Sequence, residues 1–266
     1  MSAALSPAAA IQRELWGGDP QAWATLAEAH NRPLFAALLD ATGAGGGTRV
    51  LDVGCGTGLT LVLAAQRGAV VSGIDVTPGL LAIARERLPG ADLREGDMED
   101  LPFADGAFDV VLGVNAFQFA GDPVRALAEA ARVCRPGGVV AASLFAAPER
   151  SESTAVHHAL AALSPPEKEG DHAPYALSAP GNLEAAMAAA GLTVTADGEV
   201  PVEWAYRDMD DAVRGLLCSA GGARAVQDAG EPAALAALCG ALARFEDPGT
   251  GAVTMHNTFR WVTARR

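Results

Sequence analysis

The spacing of apolar positions changes character twice along the chain. Between residues 8 and 42, Trp23, Leu26, Ala27, Leu34 and Leu38 recur at helical spacing, which predicts helices that break or restart at Pro33. "TGAGGG" (42–47) is a loop by composition. From residue 49, short apolar runs alternate with helical stretches. "RVLDVG" (49–54), "AVVSGID" (69–75), the weaker "ADLREGD" (91–97), "FDVVLGVNAF" (108–117) and "VVAASLFA" (139–146) read as buried strands. "LTLVLAAQRG" (59–68), "TPGLLAIARERLP" (77–89) and "DPVRALAEAARVCRPGG" (122–138) read as the helices between them, the last stopped by Pro136-Gly137-Gly138. This alternation predicts βαβ units and a parallel sheet with helices on both faces.

Beyond residue 147 the rhythm loosens. The stretch 147–181 is rich in Pro, Ser and charge, too long for an ordinary connection, and reads as a lid or inserted helix. A short helix follows at 182–191, with Asn182 or Ser178 as its cap. Strands are expected at 192–206 and 253–265, with helical stretches near 208–228 and 232–246 between them.

"VLDVGCGTG" joins the first strand to the first helix of the alternating region. In a parallel sheet, ligands bind at the carboxyl ends of the strands, and glycines there permit a tight turn and close approach. A dinucleotide loop reads GxGxxG; here Gly54, Gly56 and Gly58 read GxGxG and Leu59 follows. That register suits S-adenosylmethionine, which has no pyrophosphate. Asp75 ends the second strand, where a carboxylate can accept both ribose hydroxyls, although nicotinamide sites use an acid there too. Asp97-Met98 ends the third, a carboxylate and an apolar neighbour suited to the amino edge and ring of adenine.

Charge and composition narrow the partners. The formal net charge is −13, which argues against nucleic acid because phosphate contacts need clustered Lys and Arg. No apolar run is long enough to span a membrane, and no basic-then-apolar leader is visible at the N-terminus. The four cysteines, Cys55, Cys134, Cys218 and Cys239, form no CxxC pair and no metal-ligand spacing, which fits a reducing cytoplasm and predicts no metal.

Taken together, "VLDVGCGTG", "VSGIDVT", "EGDMEDLPFADGAFDVVLGVNAF" and "RVCRPGGVV" make residues 49–146 resemble the core of class I S-adenosylmethionine-dependent methyltransferases, of the small-molecule branch similar to ubiquinone and menaquinone biosynthesis. The resemblance implies a Rossmann-like, seven-stranded, mostly parallel sheet whose last strand is antiparallel, supplied by "TMHNTFRWVTAR", under an α-helical cap or lid. It implies that Asp52 and the loop at Gly54, Cys55, Gly56 and Gly58 hold the methionine part and Asp75 the ribose. Val76, Asp97 and Met98 would flank the adenine, and Asn115 would lie near the sulfonium.

His30 and Gln118 are the candidate catalytic residues. His157, His158 and His172 fall in the expected lid, and His256 in the last strand, where a structural role is expected. Trp23, Phe117 and Tyr175 are candidate substrate contacts, with Phe119 and Trp204 as further walls of an apolar pocket. Asp109 and Pro136-Gly137-Gly138 are expected to be structural. The expected organisation is an N-terminal cap (1–45), a cofactor-binding core (46–146), and a region (147–266) of lid, further helices and strands completing the same domain. The expected reaction is methyl transfer to a small apolar metabolite, most simply O-methylation. An NAD(P)-dependent oxidoreductase, a non-methylating S-adenosylmethionine binder and a cyclisation catalyst are the alternatives, and a homodimer is left open.

Overall fold

The computed structural model describes residues 5–165 and 176–266. Helix α1 (Pro7–Trp16) begins at Ser6, whose side chain accepts from the Ala9 amide. A cap segment of short helical turns follows at 20–31, then α2 (Arg32–Thr42), with Pro33 in its first turn and Gly43 in the left-handed conformation beyond its end.

The alternating region gives β1 (Arg49–Val53), α3 (Leu59–Gln66), β2 (Val70–Asp75), α4 (Pro78–Arg87), β3 (Asp92–Glu95), β4 (Phe108–Val114), α5 (Pro123–Val133) and β5 (Cys134–Phe145). Here the structure departs from one expectation. Helix α5 ends at Val133, and Pro136-Gly137-Gly138 lies inside β5 rather than forming a separate turn. The β4–β5 ladder shifts register between Phe108 and Val110, which absorbs the irregular residues.

After β5 come α6 (Thr154–Ala161), α7 (Asn182–Ala189), β6 (Thr193–Tyr206), α8 (Met209–Leu217), α9 (Ala220–Ala229), α10 (Glu231–Leu242) and β7 (Val253–Arg265). The cap of α7 is Gly181 at φ 83°, not Asn182 or Ser178; Asn182 Nδ2 instead donates to the Ala176 carbonyl.

The seven strands form one sheet in the order β3-β2-β1-β4-β5-β7-β6, with β7 antiparallel to both of its neighbours. Strand alternation divides the core. Leu51 and Val53 point to the face covered by α5 and α7, and Val50 to the face covered by α2, α3 and α4. A third apolar cluster joins α6, α8, α9 and α10 to one end of the antiparallel β6–β7 pair through Leu160, Leu216, Leu238 and Met255. At the amino end of β4, Asp109 accepts from the Arg49 amide (2.8 Å) and from Arg135 Nε (2.6 Å), as expected of a structural residue. Strand order reverses between β1 and β4, so a crevice opens beyond their carboxyl ends.

No helix among the described residues is long and apolar enough to cross a membrane. Among the described residues, no three His, Cys, Asp or Glu side chains form a group suited to a metal ion.

Candidate active site

The loop after β1 is held by its backbone. Gly54 and Cys55 amides both donate to the Ile74 carbonyl (2.8 and 3.0 Å), which ties the loop to β2. A side chain at Gly54 (φ 74°) would place its Cβ 2.8 Å from the Ala116 Cβ. At Gly56 (φ 53°) a Cβ would meet nothing within 4 Å, so this residue borders open space. Cys55 turns its side chain into the core, and burial raises its thiol pKa well above the usual range, leaving only its backbone available to a ligand.

Asp75 is buried, and each oxygen accepts a backbone amide: Oδ2 from Gly56 and Oδ1 from Thr77, both at 2.8 Å. Burial raises its pKa, and these donors oppose the rise. Asp52 is 2% exposed and its Oδ1 has no hydrogen-bond partner. Its pKa is raised well above the usual carboxylate range, first by burial and then by the charges of Asp75 and Glu28.

Asp97 is bound on both sides. Oδ1 accepts from the Glu99 amide and Oδ2 from the Ser6 amide, each at 2.9 Å. The start of α1 is thereby seated at the end of β3. Val76, Asp97 and Met98 line a cavity of about 20 Å³, with Ala9 and Gln12 of α1 on the other side. Gln12 Oε1 is buried there without a partner.

Asn115 has φ 51°, the one positive φ outside glycine among the described residues, at the end of β4. Its amide donates to the Ser143 carbonyl (3.1 Å), and Ser143 Oγ donates to Asn115 Oδ1 (3.3 Å). Gln118 is buried in the single turn that follows.

The other proposed contacts separate. Phe117 is fully buried in the core, its ring lying over Gly113, where a Cβ would sit 2.2 Å from the ring; it does not wall a pocket. Trp23 packs edge-on against Trp16 (4.9 Å), which also meets Phe119 (6.0 Å), near the seat of α1. His30 Nε2 lies 2.9 Å from the Ala205 carbonyl, and its ring meets Tyr206 at 4.7 Å. Burial lowers the His30 pKa. Trp204 Nε1 donates to Asn31 Oδ1 (3.2 Å). His157 packs on Phe145 (5.1 Å), and burial pushes its pKa down to about 4. His256 pairs with Glu152 and Glu203 at the surface. Tyr175 and His172 lie outside the described residues.

Glu28 is the site residue that sequence reading missed. It comes from the cap segment, is 4% exposed, and binds the glycine loop through the Thr57 hydroxyl. An acid between Ala27 and Ala29 in a helical stretch gives no sign of burial; it reads as a solvated position. Gln12, on α1, was equally silent.

Comparison with known proteins agrees with this geometry. Residues 51–142 match the family described as methyltransferase domain. The chain is 41% identical over 101 residues to a malonyl-(acyl-carrier protein) O-methyltransferase of Serratia marcescens, covering 38% of this chain and 40% of that protein. It is 40% identical over 111 residues to a demethylmenaquinone methyltransferase of Renibacterium salmoninarum, covering 42% and 47%. The chain spans about half the length of the curated relatives it matches, or less. Among solved structures, the 4+2 cyclase SpnF has the same fold, with a TM-score of 0.55 and 24% identity, over 88% of this chain and 80% of that one. Over residues 51–142 the chain is thus similar to the methyltransferase domain, the catalytic core of class I S-adenosylmethionine-dependent methyltransferases.

S-adenosylmethionine is the cofactor of that class, and the residues present suit it on two counts. A Cβ at Gly56 would enter open space on the loop after β1, and Asp52 has a buried, unpaired oxygen suited to a cation.

Proposed function

We propose that this chain transfers a methyl group from S-adenosylmethionine to a small, largely apolar acceptor, at an oxygen atom. The observation that carries the reading is the unpaired, buried Asp52 Oδ1 on the strand that leads into a loop with open space at Gly56. Asp52 and the backbone at Gly54, Cys55, Gly56 and Gly58 would hold the methionine part. Asp75, whose oxygens accept the Gly56 and Thr77 amides, would hold the ribose hydroxyls. Val76 and Met98 would take the faces of the adenine, with Asp97 at its amino edge.

When bound, the cofactor supplies a methyl carbon on positive sulfur, which an oxygen nucleophile displaces in line while the C–S electron pair stays on sulfur. The chain's part is to align the acceptor and exclude water, a contribution of roughly 7–11 kcal/mol to lowering a barrier. Asn115 and Gln118, beyond β4, would orient the acceptor. His30 is the proposed proton acceptor. With Nε2 donating to Ala205, its lone pair is on Nδ1, and burial keeps the ring neutral near pH 7. Trp23 would wall the donor end. The Serratia relative is named an O-methyltransferase, which supports oxygen as the acceptor atom.

Calorimetry with S-adenosylhomocysteine and with NADH tests the cofactor: binding of the first and not the second is expected, and the reverse rejects the reading. Release of S-adenosylhomocysteine across carboxylic acids, phenols, alcohols and amines tests the reaction. Turnover with amines alone rejects O-methylation, and binding without any turnover favours a non-methylating catalyst.

A further inference from the structure

The five charged side chains buried among the described residues are all carboxylates: Glu28, Asp52, Asp75, Asp97 and Glu99. Asp52, Asp75 and Asp97 end strands at the crevice, and Glu99 Oε1 accepts the amides of Gly121 (2.7 Å) and Asp122 (3.1 Å) ahead of α5. Glu28 alone reaches this cluster from the cap. Its Oε1 accepts the Thr57 hydroxyl and the Leu59 amide (3.3 Å) at the start of α3. Its Oε2 pairs with Arg87 Nη1 (2.6 Å), and the same Nη1 donates to the Thr57 carbonyl (3.0 Å). Cap, glycine loop and α4 thus meet at one carboxylate.

A glutamine would satisfy Thr57 and Leu59 without burying a charge, which is costly. The charge itself also acts at a distance, since it adds to the repulsion felt by Asp52. Donor and product of the proposed reaction differ by one methyl and one positive charge. A buried negative charge beside the loop stabilises the donor selectively, and Arg87 offsets part of that effect.

We propose that Glu28 is a positioning residue of the donor site, clamping the cap onto the glycine loop through Thr57 and favouring, by its charge, the cationic methyl donor over its neutral-sulfur product. This rests on the S-adenosylmethionine reading above. Hydrogen bonds alone would strengthen both ligands equally; only the charge separates them.

The test is calorimetry on the full chain, without acceptor, comparing S-adenosylmethionine, S-adenosylhomocysteine and an analogue with an ammonium in place of the methylsulfonium. In Glu28→Gln, the preference for either cation over the product is expected to fall by about threefold or more, the scale of one charge in a partly screened site. Arg87→Met is expected to raise that preference, and it decides the matter alone should Glu28→Gln not fold. Thr57→Val, which keeps the charge, is expected to weaken all three ligands by one common factor. Equal weakening of all three by Glu28→Gln, or an unchanged preference in Arg87→Met, overturns the proposal. A wild-type protein that binds none of the three overturns the cofactor reading, and this one with it.

Discussion

Gly54 and Gly56 lack side chains for different reasons, and mutation separates them. At Gly54 an added methyl meets Ala116 and the backbone is left-handed, so Gly54→Ala is expected to cost about 3 kcal/mol of stability. At Gly56 the methyl enters open space, so Gly56→Ala is expected to cost only about 1 kcal/mol from its backbone conformation. Its effect falls on binding instead, with S-adenosylhomocysteine affinity reduced by more than about tenfold, a loss of roughly 1.4 kcal/mol or more. Thermal melts beside calorimetry check both, and a Gly56→Ala protein that melts early but binds normally contradicts the assignment. Asp52 gives a second test. Burial and its acidic neighbours raise its pKa, and a bound cation must lower it, so binding releases a proton. Affinity for S-adenosylmethionine is therefore expected to strengthen as pH rises through that elevated pKa. Asp52→Asn should weaken binding and flatten the profile; an equal slope in both proteins excludes Asp52 as the source.

Among the elements, α6 carries a titration of its own. His157 packs on Phe145, and burial, with His158 adding repulsion, pushes its pKa from 6.5 down to about 4. Between those two values the unfolded chain binds the proton and the folded chain does not, so stability falls as pH drops through this window. A shift of that size corresponds to about 3 kcal/mol. His157→Phe is expected to remove much of the loss between pH 6.5 and pH 4, read as the acid dependence of the denaturant midpoint; an unchanged dependence assigns it elsewhere. The elements also show what sequence could convey. β1, β2, β4 and β5 were legible because strands covered on both faces are unbroken apolar runs bounded by turns. Pro136-Gly137-Gly138 misled because a helix breaker and a strand irregularity use the same residues. The cap of α7 misled because Gly181 reaches a left-handed conformation that makes a side-chain cap unnecessary.

At the scale of the whole molecule, the strands of the parallel sheet and the acids near three strand ends follow from local signals, because each is written within a few residues of its strand, whereas the seven-stranded sheet with its antiparallel last strand rested on the resemblance. What comes from remote segments is not written there. Glu28 reaches the glycine loop across 29 positions, and Ser6 reaches Asp97 across 91. Phe117 looked like a pocket wall because nothing local reveals that Gly113 leaves room for its ring in the core. The long-range contact at Ser6 governs more than architecture. With α1 seated on Asp97, the space beside Val76 and Met98 is about 20 Å³, room for about one water and far too little for a purine ring. A purine cannot enter until that helix lifts. Arrival then takes two steps, and the observed rate should bend toward a ceiling set by the lifting, however concentrated the nucleoside. Stopped-flow fluorescence of Trp16 and Trp23 would record it, and a rate that climbs in a straight line would mean the entrance stands open.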